Sequence, residues 1–153
     1  MKKPAKRVKQ VGIVVSDIDK AIGHWGALGA GEFRKFFLSS SRKTCGEVFK
    51  NGRPHQIEAS MAVADLNSVQ IELIKPLDDQ SVYADFLKES GEGIHPLCFD
   101  TDDVPFDEIC AYMEERYGAP VFNGIGALTR FAYYDCRKEM GLFIEVVTKK
   151  PEE

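Results

Sequence analysis

The chain has 153 residues, enough for a sizeable buried core, with 44% hydrophobic and 29% charged residues, which excludes a disordered or fibrous protein. Net charge is −4 with a sequence pI near 5.5, so no basic footprint for nucleic acid is present; the only cationic cluster is Lys2, Lys3, Lys6, Arg7 and Lys9, a solvated arm over residues 1–7. No apolar run approaches the ~20 residues of a membrane span, and no signal-peptide core follows the basic start. Cys45, Cys98, Cys110 and Cys136 are widely separated and read as reduced thiols of a cytoplasmic protein.

A strand is predicted at Lys9–Val15, rich in β-branched residues. Ser16 or Asp17 can cap a helix carrying Ile18, Ala21, Ile22, Trp25 and Leu28 at helical spacing, ended by Gly29 and Gly31. A strand at Phe33–Leu38 follows, then a polar loop containing Asn51-Gly52, then strands at Gln56–Ala64 and Val69–Lys75 turned at Asp65–Ser68. A connector, 76–93, holds a short helix at Ser81–Ser90. The order then repeats: a strand at Ile94–Thr101, an acidic cap at Asp102-Asp103 with Pro105 in the first turn, and a helix presenting Phe106, Ile109, Cys110, Met113 and Tyr117. Strands at Pro120–Phe122, Thr129–Asp135 and Leu142–Thr148 complete it.

The repetition extends to residues. Gln70-Ile71-Glu72-Leu73-Ile74-Lys75 aligns with Phe143-Ile144-Glu145-Val146-Val147-Thr148, and Gln10 and Asp17 fall on Pro96 and Asp103. The strand-to-helix junction is in phase as well, which favours a duplication over chance likeness between strands. The expected architecture is α+β: one domain over 8–150, built from βαβββ half-repeats 8–75 and 94–148 that form a curved mixed sheet around a cavity.

Glu72 and Glu145 each interrupt an apolar strand. A carboxylate there costs several kcal/mol of desolvation unless it is partnered or faces solvent on the polar side of a half-buried strand. Their matching positions argue for the partnered alternative, because a pseudo-twofold axis would bring both to one cavity. Two converging carboxylates suit a divalent cation, or removal of a proton from carbon beside a carbonyl.

Several stretches resemble the vicinal oxygen chelate superfamily, which contains glyoxalase I, methylmalonyl-CoA epimerase, extradiol dioxygenases and bleomycin-resistance proteins, and within it the epimerase-like branch. They are the opening run 10–21, Ile71-Glu72-Leu73-Ile74-Lys75-Pro76-Leu77-Asp78, the connector 86–95 with its glycine pair, and the closing strand Leu142–Val147. The resemblance covers about residues 10–148 and is weakest over Phe33–Pro54. It implies a metal held by one side chain from each of four strands, which fall here on Gln10, Glu72, Pro96 and Glu145. Proline cannot ligate, so the implied set is Gln10, Glu72 and Glu145, all oxygen donors suited to Mg²⁺, Mn²⁺ or Ca²⁺ rather than Zn²⁺ or Ni²⁺. His95 would turn inward only through a bulge at Pro96, and His55 lies in a loop.

Three accounts follow. A lyase or isomerase would use Glu145, with Glu72, to take a proton alpha to a ketone or CoA thioester of a small organic acid, 2-oxo compound or acyl-CoA. Its oxyanion would be met by a weakly bound cation or by Arg130. A metal-free binding protein of the bleomycin-resistance type would place one of Tyr133 and Tyr134 in the cavity to stack on a ligand. A dimerisation scaffold is the third. The resemblance implies a homodimer under all of them.

Overall fold

Asp17, and not Ser16, caps the first helix: its side chain accepts a hydrogen bond from the Lys20 amide at 3.0 Å. In the computed structural model, which describes residues 5–99, 101 and 104–150, the elements in chain order are β1 (Val8–Val14), α1 (Ile18–Ala27), β2 (Arg34–Ser39), β3 (Val48–Lys50), β4 (Arg53–His55), β5 (Glu58–Leu66), β6 (Val69–Pro76), α2 (Val82–Ser90), β7 (Gly93–Phe99), α3 (Phe106–Tyr117), β8 (Phe122–Ile125), β9 (Thr129–Cys136), α4 (Arg137–Met140) and β10 (Leu142–Lys149). The expected acidic cap at Asp102-Asp103, and Lys2 and Lys3 of the basic arm, lie outside the described residues.

All the described strands join one ten-stranded sheet in the order β2-β5-β6-β1-β7-β10-β9-β8-β3-β4. Two blocks are evident. In each, the strand preceding the helix runs parallel to the last strand of its half, β1 beside β6 and β7 beside β10. The blocks meet at an antiparallel β1–β7 seam. The βαβββ order thus occurs twice, in an α+β fold with a curved mixed sheet.

The register gives the duplication an internal check. Gly12 pairs with Glu72 and Cys98 with Glu145, while Gln10 pairs with Gln70 and Pro96 with Phe143. If Glu72 and Glu145 are equivalent, then so are Gln10 and Pro96, the match already made from sequence.

The β3–β4 hairpin is an addition to that plan. It leaves the first half yet pairs with β8 of the second. Asn51 and Gly52, with φ of 52° and 79°, form its two-residue turn. The segment expected to be loop is therefore partly strand. Similarly, β8 runs to Ile125, beyond the expected Phe122, and α4 was not anticipated.

Side chains alternate across the sheet, so each strand serves two cores. On one face α1 covers Ala62, Ile71 and Leu73, and α3 covers Ala132, Tyr134, Ile144 and Val146. On the other, α2 brings Val82 and Tyr83 against Val14, Ile74, Phe122 and Tyr133. Glu72 and Glu145 alternate with the first set and so point to the α2 side. No described helix is long and apolar enough to cross a membrane, and the four cysteines are free thiols.

Candidate functional site

Gln10, Glu72 and Glu145 come together on the α2 side of the sheet. Gln10 donates through Nε2 to Gln70 Oε1 at 2.5 Å and lies 3.5 Å from Glu72 Oε2. Gln10 pairs in register with Cys98, and Cys98 with Glu145. Gln10 and Gln70 are half-buried, while Glu72 and Glu145 keep only 8% and 5% of their surface exposed.

Burial dominates the electrostatics of the two glutamates. Desolvation, and then the neighbouring charge of Glu145, pushes Glu72 up to about 8. Desolvation also raises Glu145, to about 7, with Tyr133, Cys98 and exposed Lys9 pulling the other way. Both carboxyls are therefore harder to ionise than in water, and the charge of one opposes ionisation of the other.

The resemblance implies a divalent cation here, and the donor set does not fit one. Gln70 is oriented by its Nε2 facing Asp65 Oδ1 at 3.4 Å, so its carbonyl oxygen faces Gln10, and Gln10 turns its N–H side, not its oxygen, toward Glu72. Pro96 offers no donor and its ring is packed on β1: a Cβ on Gly12 would lie 2.7 Å from Pro96 Cδ and Cγ. Among the described residues no group of three or more His, Cys, Asp and Glu side chains could hold a metal.

His95 does turn to the α2 side. The pairing shifts from Val11↔Leu97 to Ile13↔Ile94, leaving His95 and Pro96 opposite Gly12 in a bulge. The ring is nevertheless no ligand to this group. It stacks on Phe143 at 4.1 Å, meets Phe86 and Tyr83 edge-on at 5.0 and 5.5 Å, and leaves both nitrogens without partners. Desolvation, with Arg137 nearby, lowers it to about 3, so it stays neutral. His55 is held in β4, near Asp78, Lys50 and Asp85.

Arg130 is a correction. Residue alternation sends it to the other face, into a separate cleft of about 420 Å³ beside α3, where it pairs with Asp107 at 3.0 Å over the Phe106 ring. It cannot meet an oxyanion beside Glu145. Of the two tyrosines, Tyr133 faces the glutamates and Tyr134 faces α3, its hydroxyl donating to the Cys110 carbonyl at 3.4 Å.

Sequence reasoning did not find Tyr83. It lies in the connector helix, and its reach to Tyr133, hydroxyl to hydroxyl at 2.7 Å, depends on where α2 docks.

Residues 9–134 match the family model described as Glyoxalase/Bleomycin resistance protein/Dioxygenase superfamily. No curated protein matches in sequence. Among solved structures, methylmalonyl-CoA epimerase from Mycobacterium tuberculosis is similar with TM-score 0.58 at 23% identity, over 99% of this chain and 93% of that one. A methylmalonyl-CoA epimerase in complex with methylmalonyl-CoA and NH4+ gives 0.65 at 21% identity, over 97% and 98%. A Streptomyces coelicolor methylmalonyl-CoA epimerase variant in complex with 2-nitronate-propionyl-CoA gives 0.64 at 20%, over 96% and 99%. At these identities the likeness establishes the fold.

Proposed function

We propose that this chain, which belongs to the Glyoxalase/Bleomycin resistance protein/Dioxygenase superfamily, is an isomerase of the epimerase kind that moves a proton at the carbon beside a CoA-thioester or 2-oxo carbonyl. The observation that carries this reading is the buried Glu72–Glu145 pair, raised by desolvation to about 8 and about 7. A base or acid works best when its pKa lies near the working pH, and burial moves both carboxyls up toward it, so that in this reading one member of the pair serves as carboxylate and the other as carboxylic acid. The acyl-CoA complexes of structurally similar epimerases support the choice of substrate class.

In this scheme one carboxylate accepts the C–H proton, and the electron pair moves onto the carbonyl as an enolate. The second carboxyl returns a proton to carbon from the opposite face. The Gln10 amide N–H is a donor on the same side of the sheet. No step passes through a metal. Half-buried Gln10 and Gln70 mark the end from which substrate would enter.

The test is loss of the α-proton signal of methylmalonyl-CoA in D2O, followed by NMR, with other 2-substituted acyl-CoA esters and hemithioacetals as a panel. Exchange is expected, falling at least about 100-fold in Glu145→Gln or Glu72→Gln. Absence of exchange across the panel would overturn the reading.

A second reading is a metal-free binding protein. It is favoured by Pro96, which offers no donor at the fourth ligand position, and by the aromatic side chains on the α2 side, where Tyr83, Phe86, Phe122, Tyr133 and Phe143 cluster. Under it, ligands would raise Tm without turnover. A homodimer is proposed in either case, with light scattering as its check.

A further inference from the structure

Because the chain is duplicated, each half is a control for the other. Strand pairing sets Glu72 between Gly12 of β1 and Val63 of β5, and Glu145 between Cys98 of β7 and Tyr133 of β9. Gly12 and Val63 have no polar side-chain atom. Cys98 and Tyr133 bring a thiol and a phenol. Equivalent glutamates thus sit in unequal surroundings.

Tyr133 is itself held from behind. Its hydroxyl is 2.7 Å from that of Tyr83 on α2, the rings meet edge-on at 6.0 Å, and the two residues are 2% and 1% exposed. Two buried phenols carry two O–H protons. Their mutual hydrogen bond uses one, and the other requires an acceptor in dry surroundings. Glu145 is the cross-strand neighbour of Tyr133, whose hydroxyl acts to hold its carboxyl down, and this points to donation from Tyr83 to Tyr133 to Glu145.

We propose that Tyr133, backed by Tyr83, is a positioning residue that holds the Glu145 carboxylate and makes the duplicated glutamates unequal: Glu145 takes the substrate proton and Glu72 delivers one. The assignment of acid and base rests on the proton-transfer reading above; the positioning of Glu145 does not. In a turnover the C–H bond breaks, its proton goes to a Glu145 oxygen and its electron pair to the enolate. The Glu72 O–H proton then forms the new C–H bond and leaves Glu72 ionised. Reverse turnover or exchange with water restores the starting state.

Two measurements on the full chain test this. In protein with labelled tyrosine, buried hydroxyl protons exchange slowly enough to be followed by NMR. The Tyr133 hydroxyl signal should move in Glu145→Gln and in Tyr83→Phe, and stay in place in Glu72→Gln. In the α-proton exchange assay, Tyr133→Phe should lower kcat about tenfold with little change in KM and displace the acid limb of the pH profile, with Tyr83→Phe showing a smaller loss. A hydroxyl signal that responds to Glu72→Gln and ignores Glu145→Gln would overturn the positioning. An unchanged kcat in Tyr133→Phe would overturn its part in the reaction. If wild type exchanges no α-proton but the hydroxyl answers to Glu145→Gln, the positioning stands and the proton-transfer reading alone falls. Should Tyr133→Phe fail to fold, the signals in Tyr83→Phe and in the two glutamine variants still decide.

Discussion

Glu72 and Glu145 make a pH dependence unavoidable. Their ordinary value is 4.5, and the fold raises them to about 8 and about 7. The folded chain therefore binds more protons than the unfolded one between those limits. Stability contributed by the protonated pair is complete below pH 4.5, declines as pH rises toward 7 and 8, and is flat above. Glu72→Gln removes the costlier ionisation and should stabilise the protein at pH 9 while changing little at pH 4.5. Urea unfolding at the two pH values measures this. Metal chemistry supplies the second residue-scale prediction: Gln10→His with Pro96→His should gain submillimolar Co²⁺ binding, visible in the absorption spectrum, whereas wild type should show none at equal concentration. No gain in the double variant would mean that the four equivalent positions do not converge. The glutamates were legible because they break two apolar strands in the same phase. Arg130 was misjudged because charge alone does not say which face of a strand a residue takes, and in this fold the alternation of β9 puts it beside Asp107.

At the scale of elements, the β1–β7 seam is the sensitive joint. A proline inside a central strand ought to break the ladder, and here the bulge that accommodates Pro96 also brings its ring onto Gly12. Gly12→Ala places a methyl group 2.7 Å from that ring and should destabilise by about 1–3 kcal/mol, read by thermal or urea unfolding. The hairpin β3–β4 teaches a different lesson. Asn51-Gly52 is a strong turn signal, but the flanking strands have three residues each, one containing Pro54, too short to show alternation. Their stability comes from elsewhere: β8 pairs with β3, and Lys50 reaches Asp85 on α2 at 2.7 Å.

For the whole molecule, the halves are not interchangeable pieces set side by side. The first lends its hairpin to the edge of the second, and their opening strands pair at the centre. Residues 1–76 alone would leave β1 and β3 without partners on one side, exposing edges that invite association. Expressed separately, that segment should lack a cooperative melting transition by circular dichroism, while the full chain shows one. A cooperative transition in the fragment would mean that the central pairing contributes little.

Hydrophobic period, helix caps and the in-phase repeat determined the order of the principal elements and the duplication, because these are local patterns that each strand and helix carries in its own residues. The epimerase-like motifs likewise pointed to the class of structures that the fold proves similar to. Only the tertiary structure decided that Gln10 turns its N–H toward Glu72, that His95 is sealed among aromatic rings, and that Tyr83 stands behind Tyr133. These depend on the one-residue bulge in β7 and on the docking of α2. A bulge or a docked helix is set by the sum of contacts from several strands at once, and no single stretch of sequence contains that sum.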